Sequence, residues 1–193
     1  MVNVSSTMLP LGTPVPQLSL PDPDGVTHGT ADVAAAPALL VAFVCNHCPY
    51  VKHVAEDFGR LAKQWTDAGV TILAVNSNDA ASYPDDSPPR MKEFAAAHGW
   101  DFPYLVDETQ QTALDYRAAC TPDFFLFDGD RRLAYRGRLD ASRPHSGTPV
   151  TGEDLGAAID AVLAGRQPGE GQHPSLGCNI KWKPGNAPEW FAG

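Results

Sequence analysis

The sequence predicts an α/β fold, a mixed central β-sheet flanked by helices, and three features of the chain carry that expectation. Residues 38–44 form an unbroken apolar run, Ala38-Leu39-Leu40-Val41-Ala42-Phe43-Val44, and residues 70–76 form a second, mostly apolar one. Runs apolar on both faces are strands buried between helices rather than strands with one wet side. Between them Val54, Phe58, Leu61, Ala62 and Trp65 recur at helical spacing, so the two strands and their helix make a right-handed parallel unit. Further on, residues 123–128 and 132–137 flank the turn Gly129-Asp130 as a β-hairpin, which makes the sheet mixed.

The remaining elements follow in order. Val15-Pro16-Gln17-Leu18-Ser19-Leu20 alternates as an edge strand, and Pro23-Asp24-Gly25 turns it into a short hairpin against the main sheet. Residues 31–36 read as a helical turn or two, capped by Asp32 and stopped by Pro37. The long helix is expected over residues 46–68, before Gly69. A polar loop occupies 77–90, and its first residues, Asn76-Ser77-Asn78, belong at the same sheet edge as Cys45. A helix follows over 91–98 with Met91, Phe94 and Ala95 on one face, then a strand over 102–107. A helix over 109–117 takes Thr109 as cap and Leu114 inward. After a loop over 139–150 that carries Arg143 and His145, Thr151 caps a helix over 152–163, with Leu155, Ile159, Val162 and Leu163 facing in. The tail is rich in glycine and proline yet holds Trp182 and Trp190, so it is expected to fold back over the surface with these as anchors.

A chain of 193 residues with 43% hydrophobic and 19% charged residues fits a single domain with a real core. Its expected limits are a core over 38–164, an N-terminal extension over 1–37 and a tail over 165–193. A net charge of −9 argues against nucleic acid or an anionic membrane as partner. There is no apolar stretch long enough to span a bilayer and no basic region leading an apolar signal core, so the expected compartment is the cytoplasm. Structural disulfides are rare there, and 4 cysteines are too few for a disulfide scaffold.

Two of those cysteines carry the chemistry. Cys45-Asn46-His47-Cys48 sits where a buried strand gives way to a helix. Unpaired N–H groups and the positive end of the helix dipole favour a thiolate at such a junction. Cys45 and Cys48 are expected at about the cap and third helical positions, with the more exposed Cys45 attacking and the inward Cys48 resolving the mixed disulfide. His47, protonated beside the thiols, would stabilise the thiolate further. A structural zinc half-site is the competing reading, and Cys120 and Cys178 would be its remaining sulfur ligands. They are single rather than a second short-spaced pair, and equally suit a second disulfide or relay between themselves.

Strand, Cys-x-x-Cys, helix, strand, then Thr121-Pro122 before a hairpin and a last helix resembles the thioredoxin fold over residues 38–164. The stretches Cys45-Asn46-His47-Cys48-Pro49-Tyr50-Val51-Lys52, Thr121-Pro122-Asp123-Phe124-Phe125 and Gly177-Cys178-Asn179-Ile180-Lys181-Trp182 are similar to those of bacterial redoxins in its peroxiredoxin and thiol-disulfide oxidoreductase branch, the AhpC/TSA-related proteins. The resemblance implies a cis Pro122 beside the cysteine pair and a Thr121 backbone that hydrogen-bonds an extended peptide substrate. It implies a thiol-disulfide oxidoreductase acting on protein or small-molecule thiols, with an unidentified electron donor or acceptor and with no cofactor or metal, as a monomer or homodimer. It also leaves a thiol peroxidase open: Cys48 falls at the peroxide-attacking cysteine of peroxiredoxins, with Cys45 at the usual threonine and Val41 at the usual proline. A zinc-stabilised or redox-inactive interaction module is the remaining class.

Overall fold

The computed structural model describes residues 3–33 and 35–191. In chain order its elements are β1 (Asn3–Ser5), β2 (Ser19–Pro21), β3 (Thr27–Gly29), β4 (Ala38–Phe43), α1 (Pro49–Asp67), β5 (Val70–Asn76), α2 (Pro88–Ala97), β6 (Tyr104–Val106), α3 (Gln111–Asp115), β7 (Cys120–Thr121), β8 (Asp123–Phe127), β9 (Leu133–Gly137), α4 (Glu153–Leu163) and β10 (Leu176–Asn179). A single 3-10 turn, Pro84–Asp86, precedes α2. The main sheet runs β6-β5-β4-β8-β9, parallel from β4 through β6 and antiparallel across β4, β8 and β9. This is the thioredoxin-like mixed sheet with helices on its faces.

Central strand β4 separates two cores. Leu40 and Ala42 pack with Val51, Phe58 and Ala62 of α1 and with Leu155 and Ile159 of α4. Leu39, Val41 and Phe43 point the other way, into a cluster with Leu18, Tyr116 and Ile180. Alternate residues of one strand thus fill opposite cores, which is why its sequence is apolar throughout. Each large side chain buried in this way contributes about 1.5–3 kcal/mol.

Several element ends differ from expectation, and each difference has a local cause. Helix α1 begins at Pro49, with Cys48 as its extended N-cap, rather than near Asn46. Proline has no N–H to leave unpaired and its fixed φ suits the first helical residue. The same reason starts α2 at Pro88 rather than Met91. At the start of short helix α3 the Thr109 hydroxyl accepts the Gln111 N–H at 3.3 Å, as expected of a capping residue, although Gln110 holds the cap position, and the Asp107 carboxylate takes the next amides, Ala113 and Thr112, at 3.0 and 3.4 Å. Before α4, Gly152 takes φ +68 in the cap position expected for Thr151. Asp140 accepts the Thr151 and Gly152 amides at 2.8 and 2.7 Å there. Leu114 is only half-buried, and Ala113 and Tyr116 supply the inward face. Residues 31–33 form a turn, not a helix, and Ala34 lies outside the described residues.

The hairpin β2–β3 forms its own two-stranded sheet, with β2 lying against β6. The tail does fold back. Trp182 packs edge-on against Trp190 and Phe191, each with ring centroids 6.3 Å away. What the sequence pattern did not suggest is that β10 lies between β1 and β7 in a second, three-stranded sheet. Among the described residues no helix is long and apolar enough to cross a membrane.

Candidate active site

Strand β4 ends with the Val44 N–H donating to the Val75 carbonyl at 3.0 Å, and the chain then turns through Cys45-Asn46-His47 into α1. The residue opposite this turn is Thr121, whose peptide bond to Pro122 is cis. Thr121 touches or pairs with three cysteines. Its hydroxyl lies 3.3 Å from the Cys45 sulfur, and its carbonyl accepts from the Cys48 thiol at 3.2 Å. In the antiparallel register of β7 and β10 its Cα partner is Cys178. The approach of β10 is close enough to demand glycine next door: a Cβ on Gly177 would lie 2.0 Å from the Thr121 oxygen.

All three thiols are covered, Cys45 at 1%, Cys48 at 0% and Cys178 at 2% exposure. The expected exposed Cys45 is therefore corrected, since its side chain joins the same core cluster as Cys48 and Cys178. The Thr121 backbone, expected to hold a substrate peptide, is paired with the chain's own β10.

The electrostatics divide the pair in the opposite sense to the expectation. The neighbouring Cys178 and Cys45 side chains both favour an anion on Cys48. With the backbone N–H groups of Val51 and Cys178 also favouring the anion, they outweigh burial and hold Cys48 well below the ordinary thiol range. Burial pushes Cys45 up, and its bond to Cys48 and the nearby Asp86 charge add to this. Cys178 is likewise raised, chiefly by its bond to Cys48. Cys178 and Cys45 are the larger causes of the Cys48 shift, and the first turn of α1 adds to them because Cys48, not Cys45, is the N-cap residue.

A polar network backs the other side of the loop. Buried Asp86 accepts the Asn46 N–H at 2.7 Å, the His47 Nδ1–H at 2.7 Å and the Asn78 side-chain amide at 2.8 Å. Burial alone would raise its pKa, but these donors, His47 first, hold it below the ordinary carboxylate value. The His47 ring stacks on Tyr83 with centroids 5.3 Å apart. Asn46 in turn donates to the Asp85 carbonyl and accepts from the buried Tyr104 hydroxyl, at 2.8 and 3.0 Å. Tyr104 also receives the side-chain amide of Asn76, the last residue of β5, at 3.3 Å, so this strand end reaches the Asn46 turn between the cysteines. One ligand atom from each of Cys45, His47 and Asp86 lies within 4.8 Å of the others, the group here that could hold a metal ion.

Cys120 stands apart from the sulfur cluster. Its register partner is Asn179, not Cys178, and neighbouring residues of a strand face opposite ways. Cys120 and Cys178 are thus offset by one position on paired strands, and among the described residues the four sulfurs form no group close enough to hold a zinc ion. Burial raises the Cys120 thiol, with the Asp123 charge adding to it. Asp123, directly after cis-Pro122, is wholly buried and pushed up to about 7 by that burial, although the Ser6 hydroxyl donates to its Oδ1 at 2.6 Å.

With this geometry in view, comparison with known proteins gives the affiliation. The AhpC/TSA family matches residues 11–136. The chain belongs to that family. An uncharacterised conserved protein from Geobacillus kaustophilus superposes with a TM-score of 0.92 at 52% identity, covering 95% of this chain and 98% of its own. A hypothetical protein from Sinorhizobium meliloti gives 0.92 at 46% identity, over 94% and 99% of the two chains. A secreted disulfide oxidoreductase from Mycobacterium tuberculosis gives 0.58 at 14% identity, over 75% and 96%, and shares the fold. A search of curated proteins gave no match. Membership in the AhpC/TSA family places the chain in a superfamily of redox-active enzymes.

Sequence reasoning had picked out Cys45, Cys48, His47, Asn46, Thr121 and Pro122, and the structure brings all six together. It missed Asp86, Tyr83 and Tyr104, because nothing local in Pro84-Asp85-Asp86 marks one carboxylate as buried. Asn78 had a signal in its place at the end of a parallel strand. The tail's course past the site was also missed. There the Lys181 N–H donates to Asn78 Oδ1 at 2.8 Å, and buried Gln110 donates to the Ser77 and Lys181 carbonyls at 2.7 and 2.9 Å.

Proposed function

We propose that this protein is a thiol-disulfide oxidoreductase that exchanges disulfides with protein or small-molecule thiols through Cys45 and Cys48. The observation that carries the reading is a Cys-x-x-Cys at the head of α1 with both sulfurs on Thr121, Cys45 3.3 Å from its hydroxyl and Cys48 3.2 Å from its carbonyl oxygen. The Cys48 thiolate attacks a substrate disulfide, forming a mixed disulfide and releasing one substrate thiolate. Cys45 then attacks the Cys48 sulfur, the second substrate thiolate leaves with the Cys45 proton, and the Cys45–Cys48 bond forms as the substrate is reduced to two thiols. Thr121 positions both sulfurs, and Asp86 fixes the Asn46-His47 turn between them.

The test is disulfide reduction assayed with insulin under a thiol reductant. Cys48→Ser should abolish turnover, and Cys45→Ser combined with Cys178→Ser, which removes both neighbouring thiols, should accumulate a mixed disulfide at Cys48. Normal turnover in either variant, or trapping at Cys45 in Cys48→Ser, would contradict the assigned roles.

A thiol peroxidase is the second reading, supported by the thiolate at Cys48 and by the family. Here the Cys48 thiolate attacks one peroxide oxygen, the O–O bond breaks and the other oxygen leaves as water or an alcohol, and Cys45 condenses with the resulting sulfenic acid, releasing a further water. Peroxide consumption that persists without any disulfide substrate would favour this reading over the first.

A further inference from the structure

We propose that Cys178 is a third redox thiol of this centre, which exchanges into the Cys45–Cys48 disulfide to give a Cys48–Cys178 bond that ties β10 to the head of α1. The inference rests on the reading of Cys45 and Cys48 as a redox pair.

Placement is the first argument. Cys178 is the register partner of Thr121, the residue whose carbonyl lies 3.2 Å from the Cys48 sulfur. Directly opposite residues of an antiparallel pair bring their Cβ atoms to about 4.5–5.5 Å. Cys48 and Cys178 share one buried cluster, with Thr121 touching the one and pairing with the other.

The second argument is that β10 is held there from both ends. Ser6 and Ser175 are joined by the Ser6 N–H to the Ser175 carbonyl at 3.0 Å and the Ser175 N–H to the Ser6 hydroxyl at 2.9 Å. Beyond the strand, the Asp79 N–H donates to the Lys181 carbonyl at 2.9 Å, and the Lys183 N–H donates to Gln110 Oε1 at 2.8 Å. Close packing at Gly177 removes the remaining slack. A thiol fixed against a disulfide sulfur reacts as an intramolecular partner, with the rate advantage of an oriented encounter. Cys120, turned to the other side of β7, has no such placement.

The exchange is redox-neutral. Cys178, as thiolate, attacks the Cys48 sulfur of the Cys45–Cys48 disulfide. The Cys48–Cys178 bond forms, the Cys45–Cys48 bond breaks, and Cys45 leaves with the electron pair and takes up the proton that Cys178 gave up. The product ties the tail strand covalently to Cys48, where it pairs with Thr121, and leaves Cys45 a free thiol. Return of Cys45 to the Cys48 sulfur reverses the step.

The test uses the full chain, oxidised with glutathione disulfide, alkylated, digested without reduction and mapped by mass spectrometry. The wild type should yield both Cys45–Cys48 and Cys48–Cys178 linkages, with Cys120 alkylated throughout. Cys178→Ser should lose only the second linkage. Cys45→Ser should still form Cys48–Cys178, as Cys48 takes one glutathionyl group and Cys178 then displaces it, leaving two glutathione thiols per disulfide formed. If Cys45–Cys48 forms while Cys48–Cys178 is missing from both the wild type and Cys45→Ser, the inference falls and the proposed function stands. If no linkage involves Cys45 in any sample, both fall.

Discussion

Replacing Gly177 by alanine would put a methyl carbon 2.0 Å from the Thr121 carbonyl oxygen and 2.8 Å from the carbonyl carbon. A carbon and a carbonyl oxygen in contact sit about 3.3–3.6 Å apart, so the backbones must separate by roughly 1.3 Å or more. Neither partner is the far end of a flexible side chain, and β10 is flanked by β1 on one side and β7 on the other. Protein N–H···O bonds tolerate only about 0.5 Å in donor–acceptor distance, so the β7–β10 pairing opens. Forced overpacking of this kind costs about 1–3 kcal/mol. Cys178 moves away from Cys48, removing the neighbour that contributes most to the Cys48 thiolate. Iodoacetamide labelling of each cysteine, followed against pH by mass spectrometry, separates the two effects. The limiting rate at Cys48 should rise because its cover is loosened, and the pH midpoint should move up because the anion has lost donors. A lower Tm should accompany both. An unchanged rate, midpoint and Tm would refute the role given to this strand.

Other consequences follow from single groups. Asp123 has its pKa raised from 3.8 to about 7 in the folded protein. Folding therefore takes up a proton between these values, and stability should fall as pH rises through that window, by roughly 4 kcal/mol at most. Asp123→Asn should flatten urea-unfolding stability between about pH 4 and 7 and exceed the wild type above it; equal pH slopes in the two proteins would contradict this. Asp86→Asn removes the buried acceptor shared by Asn46, His47 and Asn78 and should destabilise the fold by about 1–3 kcal/mol. It should also lower the pH at which Cys45 ionises, read from thiolate absorbance, because the Asp86 charge opposes that ionisation. Gly59→Ala on α1 would bring a Cβ within 2.2 Å of the His98 carbonyl oxygen and should lower Tm, with little effect on thiol reactivity.

The fold was legible wherever a pattern is local. The apolar runs located β4 and β5, and the hairpin around Gly129-Asp130 located β8 and β9, because burial and strand turns leave their mark on consecutive residues. Helix ends were harder. Cys48 rather than Cys45 caps α1, and Asp107 joins Thr109 at the amides of α3, because a cap is chosen by where the preceding chain brings an acceptor. Within the site, Asn46 and His47 were visible as neighbours of the cysteines. Asp86 was not, since its burial comes from the 3-10 turn folding onto a loop far away in sequence.

The sequence by itself determined the chemistry on offer: a Cys-x-x-Cys at a strand–helix junction, a Thr-Pro ahead of a hairpin, and two further cysteines. Both junction and motif are contiguous, so their residues specify them without reference to the rest of the chain. Only the tertiary structure decided which cysteine caps the helix and which distant cysteine stands opposite Thr121. The start of α1 at Pro49 makes Cys48 its N-cap, and the register of β10 on β7 pairs Cys178 with Thr121 and leaves Cys120 opposite Asn179. Register and burial are properties of packed strands, and a shift of one residue would exchange the two sides.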